Sequence, residues 1–337
     1  MKYTVGYQVN SDDDYMEYIA NNKEHIYEMY FSWGDMPNGR NSMLLNSNLS
    51  PWQAQEKQIN DLKYISNRGI KLNLLLNANC YGKDSQSKNF YIKIGQLIDY
   101  LGAEYGLSSI TTTSPLIAKF VHDNFENLDV RASVNMKIGS IPAMEYVIDY
   151  FDSFYLQREL NRNIKKIKEI KSWCDKNNKG LYMLANSGCL NDCSAHTFHD
   201  NLVAHENEIA SMDNGYNFEG ICREHLKNKR ISLIQNTNFV RPEDIHLYDD
   251  YFIAAKLATR VSKNPINIIN AYINKSYSGS ITSLLEPNHT GLFYPDVIEN
   301  RKFPKDFGEK IMNCNKICSV CNYCSEVLKN ATVTLTK

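Results

Sequence analysis

Seven of the nine cysteines of this chain fall into two groups, and their spacing indicates metal binding. Thiolates are the ligands of zinc ions and of iron–sulfur clusters, and the last four thiols lie within the run CNKICSVCNYC, so one loop can direct them at a single ion or cubane. The spacing predicts metal, with iron and sulfur ahead of zinc. The seven residues are Cys189, Cys193 and Cys222 near the middle, and Cys314, Cys318, Cys321 and Cys324 near the end.

Disulfides are the alternative use of these thiols, and the N-terminal residues argue against them. The segment MKYTVGYQVNSDDD has no apolar core behind a basic start, so no signal peptide is expected. No run approaches the roughly 18 apolar residues of a membrane span. These features predict a cytoplasmic protein without a membrane partner, and in a reducing cytosol paired thiols are usually ligands.

Length and charge limit the class of protein. A chain of 337 residues with 43% hydrophobic residues suits a barrel with a small appended piece. The formal net charge of -1 argues against unassisted binding of a long nucleic acid, which needs a basic face. The lysines of the segment 161–179 alternate with isoleucines, which is typical of a solvated helix face.

Short apolar runs alternate with longer amphipathic ones, which is typical of βα units around a parallel sheet. About 250 residues is the usual length of a (β/α)8 barrel, and no glycine-rich phosphate loop supports the competing doubly wound sheet. We therefore predict a TIM-like (β/α)8 barrel over residues 1–275, an insert with cysteines at 187–230, and a small cysteine-rich C-terminal extension at 276–337. The predicted strands are Tyr3–Val9, Ile26–Trp33, Leu72–Leu76, Ser108–Thr112, Val130–Val134, Ser153–Leu156, Leu181–Leu184, Ile231–Leu233 and Phe252–Leu257. The predicted helices include Pro51–Arg68, Tyr91–Tyr100, Pro115–Asn124, Ala143–Tyr150 and Leu160–Lys176.

A barrel of this kind places its chemistry at the carboxyl ends of its strands, so polar residues there are candidates for the site. Arg158 and Glu159 follow the sixth predicted strand, where a cation can orient a polar ligand and a carboxylate can carry a proton. A glutamate at a helix start, with the arginine in solvent, is the structural alternative. Asn77 and Asn135 also end strands, and there the alternative is turn chemistry.

The middle cysteines follow the seventh predicted strand, which places Cys189 and Cys193 at the same rim. A fold-back of the insert could bring Cys222 to them. The fourth ligand stays open between Cys80, a C-terminal cysteine and a histidine. Three histidines of the insert are candidates for a ligand or for proton transfer, whereas Cys174 is expected to be a small core residue. The histidines are His196, His199 and His205.

Four stretches of the sequence resemble the collagenase-like peptidases of family U32, and together they span most of residues 1–275. They are RELN at 158–161, ANSGC with the cysteines after it, NFVRPEDIHLYDDYFIAAKLATR at 238–260, and INDLKYISNRGIKLNLLLNA at 59–78. The resemblance implies a TIM-like barrel. Several members of that family bind a 4Fe–4S cluster through four cysteines and support oxygen-independent hydroxylation of RNA or quinone precursors, with prephenate proposed as oxygen donor in some.

The resemblance also implies roles for individual residues. Cys189, Cys193 and Cys222 match the cluster-binding segment, and Glu159 matches the glutamate of the REL element. Lys256 and Arg260 match a lysine and an arginine on a late strand of the family. The expected catalytic residues are Glu159, Arg158 and His199. The expected substrate-binding residues are Lys256, Arg260, Asn77 and Asn135.

The tail departs from the best-known members of that family. Three of its cysteines have the CxxxCxxC spacing of radical S-adenosylmethionine enzymes, but they lie far from an early strand, and Cys324 can close the fourth position. The tail therefore predicts a closed cluster for structure or electron transfer, or a zinc site. One or two 4Fe–4S clusters are expected in the chain.

Three classes of function follow. The first is an iron–sulfur enzyme, an oxidoreductase that performs oxygen-independent hydroxylation or a related redox modification, consistent with an anaerobic way of life. The second is a peptidase, although no HExxH or GxSxG motif is present. The third is a non-catalytic iron–sulfur partner subunit. The substrate stays open between a small molecule, a peptide and RNA, and a redox partner is possible.

Overall fold

Eight parallel strands form a closed barrel in the computed structural model of the chain, which describes residues 1–9, 13–34, 36–39, 49–216 and 218–335. The strands are hydrogen-bonded in chain order, and β1 pairs with β8 to close the ring. The predicted (β/α)8 barrel is confirmed. The strands are β1 Tyr3–Gly6, β2 Ile26–Phe31, β3 Lys71–Leu76, β4 Leu107–Thr112, β5 Asp129–Ala132, β6 Ser153–Tyr155, β7 Gly180–Leu184 and β8 Ala255–Lys256.

Helices connect the strands and cover the barrel. The helices that precede β8 are α1 Asp13–Asn21, α2 Pro51–Ser66, α3 Lys88–Tyr105, α4 Pro115–Asn124, α5 Ile141–Glu145, α6 Ile164–Lys176, α7 His196–Ala204, α8 Glu206–Ala210, α9 Ile221–Asn228 and α10 Ser232–Gln235. Those after β8 are α11 Pro265–Ile273, α12 Phe307–Met312 and α13 Tyr323–Ala331. The extension also contains a two-stranded antiparallel sheet of β9 Asp296–Ile298 and β10 Thr332–Thr334.

Local sequence explains where the helices of the barrel begin. At α2, the Ser50 hydroxyl accepts from the backbone of Gln53, and the Gln53 side chain accepts from the Ser50 backbone. This reciprocal cap satisfies two amide groups that the first helical turn leaves free, and Pro51 has the backbone angle that a first turn requires. The predicted start of this helix is therefore confirmed.

One predicted strand is wrong. Residues 231–233 were expected to be a strand, but they lead into the short helix α10, and Leu233 and Ile234 are buried. A run of three apolar residues fits a buried helical turn as well as a strand, so periodicity cannot separate the two. The eighth strand is β8, inside the predicted range Phe252–Leu257.

Some helix ends also differ from the predicted ones. Helix α3 extends beyond the predicted range at both ends, because Ser87 caps its start and Gly106 ends it with a φ of 65°. The predicted helix Ala143–Tyr150 ends at Glu145. The predicted helix from Leu160 begins only at Ile164, because Arg158–Leu160 form a 3-10 turn after β6.

A network of buried charged side chains lies inside the barrel. Arg131 on β5 is 1% exposed and lies 2.6 Å from Glu28 on β2 and 2.6 Å from Asp129. Its guanidinium also lies 3.8 Å from the ring centroid of Tyr182. Since a buried charge is costly without a partner, this network holds β2, β5 and β7 in one arrangement.

The extension returns to the mouth of the barrel. Glu286 pairs with Ser187 as an isolated bridge, and the Gly188 backbone amide donates to the Glu286 carbonyl at 2.8 Å. The predicted domain boundary after residue 275 stays a prediction. In the described ranges, no helix has the length and apolar character needed to cross a membrane.

Candidate active site and cysteine groups

A cavity of about 80 Å³ opens at the carboxyl ends of the strands, and we call it the barrel-mouth cavity. Five of the residues that the sequence predicts for the site line it together, although they come from four separate strand ends. Arg158 follows β6 and Lys256 ends β8, so the barrel geometry brings them together. The predicted lining residues are Asn77, Asn135, Arg158, Lys256 and Arg260; others are Tyr30, Gly39 and Glu286.

The cavity is rich in positive charge. Among the described residues that line it, three side chains are cationic and Glu286 carries the single carboxylate. Lys256 is 8% exposed, and its ammonium lies 4.0 Å from the ring centroid of Tyr30 and 5.4 Å from that of Tyr155. Aromatic faces stabilise a cation through their electrostatic field and leave its positive charge in place. The cavity suits a small anionic ligand.

Gly39 allows the chain to pass close to two of the predicted asparagines. Its amide donates to the Asn77 side chain at 3.0 Å. A Cβ at this position would lie 2.7 Å from Asn135 Nδ2 and 2.9 Å from the Asn77 carbonyl oxygen. Any larger residue would therefore displace the two amide side chains from the cavity.

The three middle cysteines are half-buried and interact with one another. Cys189 and Cys193 lie in the turn region after β7, and Cys222 lies in the first turn of α9. Burial raises the pKa of the Cys222 thiol, and the nearby Cys189 and Cys193 raise it further. The fold of the insert thus brings Cys222 within electrostatic reach of Cys189 and Cys193.

Arg158 joins this cysteine group to the cavity. Its Nη1 donates to Cys189 Sγ at 3.4 Å, and its Nη2 contacts His196 Nε2. His196 Nε2 also lies 3.3 Å from Asp200, which accepts from Asn79 at 3.1 Å. These contacts hold the buried guanidinium of Arg158 in place. Its positive charge can therefore act both on a ligand in the cavity and on the Cys189 thiolate.

The other two predicted catalytic residues, Glu159 and His199, are not among the described residues that line the cavity. Glu159 has its Oε1 3.9 Å from Arg158 Nε, while its buried Oε2 has no hydrogen-bond partner in the described part of the chain. His199 packs its ring against Phe218, with centroids 5.9 Å apart. His196, one turn earlier on α7, is the histidine that reaches Arg158.

Cys80 interacts with His205, which is 125 residues away in the sequence, and the cysteine spacing does not reveal this pairing. A hydrogen bond with His205 lowers the pKa of the Cys80 thiol, and the same bond raises the pKa of His205. Glu208 lies 3.2 Å from His205 Nδ1. Thiol, imidazole and carboxylate in this order can generate a nucleophilic thiolate. Neither Cys80 nor His205 is among the residues that line the barrel-mouth cavity.

The four C-terminal cysteines line one cavity of about 350 Å³, which we call the C-terminal cavity. Burial raises the pKa of the Cys324 thiol to about 11, Arg162 opposes this rise, and the other three thiols add to it. Cys314, Cys318, Cys321 and Cys324 all line this one space, and their predicted role as metal ligands stays a prediction. Among the described residues, no three His, Cys, Asp or Glu side chains are already arranged to hold a metal ion.

Cys174 differs from the other cysteines. It lies on the inner face of α6 with no exposed surface, and burial raises the pKa of its thiol to about 12. The predicted role as a small core residue fits this position.

No family model matches the chain. It is 26% identical over 317 residues to an uncharacterized protease of Methanocaldococcus jannaschii, covering 92% of this chain and 90% of that protein. The structure of a U32 peptidase superposes with a TM-score of 0.54 at 12% identity, over 76% of this chain and 91% of that one. The predicted resemblance to the U32 peptidases is confirmed.

The U32-like barrel contains functional candidates that the sequence did not single out. Glu286 comes from the extension, and only its pairing with the strand-end segment 186–188 brings it to the cavity. The segment 161–179 predicts a solvated helix face, yet the side chain of Arg162 within it is only 3% exposed. A weak signal for it was present, because it directly follows the RELN element of the resemblance.

Proposed function

We propose that this U32-like chain is an iron–sulfur enzyme that performs oxygen-independent hydroxylation, or a related redox modification, of an anionic substrate at the barrel mouth. The observation that carries this proposal is the position of Arg158. It lines the cavity and also donates to the Cys189 thiol. A substrate in the cavity would therefore be one side chain away from the middle cysteines.

The donor set supports a cluster at the middle cysteines. Cys189, Cys193 and Cys222 are free thiols that interact electrostatically, and thiolates are the ligands iron–sulfur clusters use. The fourth ligand of this cluster would come from a nearby cysteine or histidine. His196 Nε2 is engaged by Arg158, and Cys80 by His205.

The residues of the cavity would bind and orient the substrate. Arg158, Lys256 and Arg260 supply positive charge for a carboxylate or phosphate group, and Asn77 with Asn135 supplies neutral amide donors and acceptors. Glu159 would act as the acid or base of the reaction through its buried Oε2, which no described residue hydrogen-bonds, beside Arg158. When bound, an iron–sulfur cluster would transfer electrons one at a time. Hydroxylation removes two electrons from the substrate, so a redox partner or an oxygen-donor co-substrate would have to accept them.

A second candidate function is peptide hydrolysis, and the Cys80–His205–Glu208 arrangement favours it. The related proteins named above are called a protease and a peptidase. A thiol whose pKa is lowered by a histidine, itself held by a carboxylate, is the arrangement of a cysteine nucleophile. This function would use Cys80 as nucleophile and would need no iron.

Metal content separates the two candidates. We would purify the full chain under anaerobic conditions, measure iron and acid-labile sulfide per chain, and compare Cys193→Ser with the core control Cys174→Ser. The iron–sulfur proposal expects Cys193→Ser to lose iron and sulfide that Cys174→Ser retains. Equal iron in both variants would contradict the proposal.

Ligand binding and peptide cleavage complete the comparison. If the cavity binds an anionic substrate, small dicarboxylates should raise the thermal unfolding temperature of the wild-type protein. They should raise the unfolding temperature of Lys256→Met less. The exposed variant Lys119→Met is the control and should respond as the wild type does. Cleavage of fluorogenic peptides that is abolished in Cys80→Ser and kept in Cys193→Ser would favour the peptidase instead.

A further inference from the structure

Arg162 is a buried cation whose hydrogen bonds go to neutral groups. The side chain is 3% exposed, and its two terminal nitrogens donate to the carbonyl oxygens of Ile234 and Phe239 at 2.6 and 3.1 Å. Its Nε has no hydrogen-bond partner among the residues that the structure describes. The guanidinium lies 4.8 Å from the Phe239 ring centroid. No carboxylate of the described ranges forms an ion pair with it.

This position is costly for a cation without an anion. Carbonyl oxygens and aromatic rings recover only part of the hydration that an arginine loses on burial. The surroundings of Arg162 therefore favour an anionic group at the cysteines.

Arg162 lies against the C-terminal cysteines. A cavity of about 340 Å³ is lined by Arg162 and also by Cys314, Cys318 and Cys324, which line the C-terminal cavity as well. None of the described residues that line the C-terminal cavity carries a carboxylate. The second cavity, which Arg162 lines, has Asp192 as the acidic residue among its described lining residues.

The thiols are free, and their common space suits a group larger than one ion. None of the four cysteines forms a disulfide. Tetrahedral zinc with bonds of about 2.3 Å brings its thiolates to within about 4 Å of one another. The C-terminal cavity, at about 350 Å³, has more room than a single ion needs. A cubane, by contrast, places four irons and four sulfides between its thiolates.

We propose that the C-terminal cavity is the binding site of a 4Fe–4S cluster held by Cys314, Cys318, Cys321 and Cys324, with Arg162 as the cation that balances the cluster's negative charge. With four thiolates, every iron has a protein ligand, so this cluster has no open position for substrate. The site is independent of the function proposed for the barrel mouth. It adjoins the middle cysteines, because Asn191 and Asp192, between Cys189 and Cys193, line the cavity that contains Arg162.

The first test isolates this site from the middle cysteines. The full chain carrying Cys193→Ser and Cys222→Ser would be purified anaerobically and reconstituted with ferrous iron and sulfide. We expect about four irons and four sulfides per chain in this background, and loss of all of them when Cys318→Ser is added. Cys318 is exposed, so its replacement should leave the fold intact, which circular dichroism would verify. Zinc in place of iron, or no metal in the background variant, would overturn the proposal.

The second test addresses Arg162. In the same background, Arg162→Met removes the charge and keeps the length of the side chain, and Arg162→Lys keeps the charge. We expect the midpoint potential of the cluster's paramagnetic signal to become more negative in Arg162→Met, because removing a nearby positive charge disfavours the reduced state. Arg162→Lys should restore most of that shift. An unchanged potential in Arg162→Met would overturn the role of Arg162, and if that variant does not fold, a wild-type potential with Arg162→Gln would do the same.

Discussion

Arg158 and Arg162 extend from one short segment after β6 to the two different cysteine groups of the chain. Arg158 donates to Cys189 Sγ at 3.4 Å, and Arg162 lines a cavity with Cys314, Cys318 and Cys324. Both are buried. A single strand end therefore presents one cation to each group of thiols, and displacement of this segment would affect both.

The ion network inside the barrel should be essential for stability. We expect Arg131→Met to lower the free energy of unfolding by about 3–5 kcal/mol, because it leaves the carboxylate of Glu28 buried without its partner. Urea denaturation followed by circular dichroism measures this change. Adding Glu28→Gln to Arg131→Met should recover part of the loss. A double variant less stable than Arg131→Met would show that the pairing is not the cause.

Gly188 should be intolerant of a side chain. A Cβ there would lie 2.6 Å from the Pro287 carbonyl oxygen, so Gly188→Ala must displace backbone next to Glu286. We expect a loss of about 1–3 kcal/mol in the free energy of unfolding. Gly102→Ala, on α3 with open space around it, is the matched control and should gain about 0.5–1 kcal/mol. Equal effects at both positions would count against a tight contact at Gly188.

Cys80 should be a reactive thiol because of His205. The hydrogen bond with His205 lowers the pKa of Cys80, so alkylation by iodoacetamide should rise at lower pH than for an ordinary cysteine. We expect His205→Gln to move this profile to higher pH and to slow the reaction at pH 7 severalfold. Mass spectrometry of the Cys80 peptide measures the rate, with buried Cys174 as the unreactive reference. An identical profile in His205→Gln would refute the pairing.

His289 should make the fold less stable in mild acid. Burial lowers its pKa in the folded chain, and its Nε2 lies 2.9 Å from the Gly188 carbonyl oxygen. As the pH falls below about 6.5, the unfolded chain therefore binds a proton before the folded chain does, and stability declines. We expect His289→Gln to reduce the difference in urea midpoint between pH 7.5 and pH 5.5. The exposed variant His122→Gln is the control, and an equal reduction there would contradict this origin.

Much of the fold could be predicted from local pattern. Short apolar runs and capped amphipathic runs predict the order of strands and helices, since side-chain periodicity and caps are properties of neighbouring residues. The predicted helix Pro115–Asn124 has the same first and last residues as α4 for this reason. Residues 231–233 fail because three apolar residues carry too little periodicity, and only the surrounding packing makes them helical.

The sequence by itself determined the barrel, the two groups of cysteines and most of the charged residues at the mouth, because strand ends in a parallel barrel meet at one rim. Tertiary structure alone decided which side chains meet across long separations. It placed His196 rather than His199 on Arg158, paired Cys80 with His205, and turned Arg162 from an apparent surface residue into a buried cation. These outcomes depend on how the insert and the extension fold back onto the barrel. Contacts between residues that are far apart in the sequence produce no periodic pattern among neighbouring residues, so the sequence alone does not predict them.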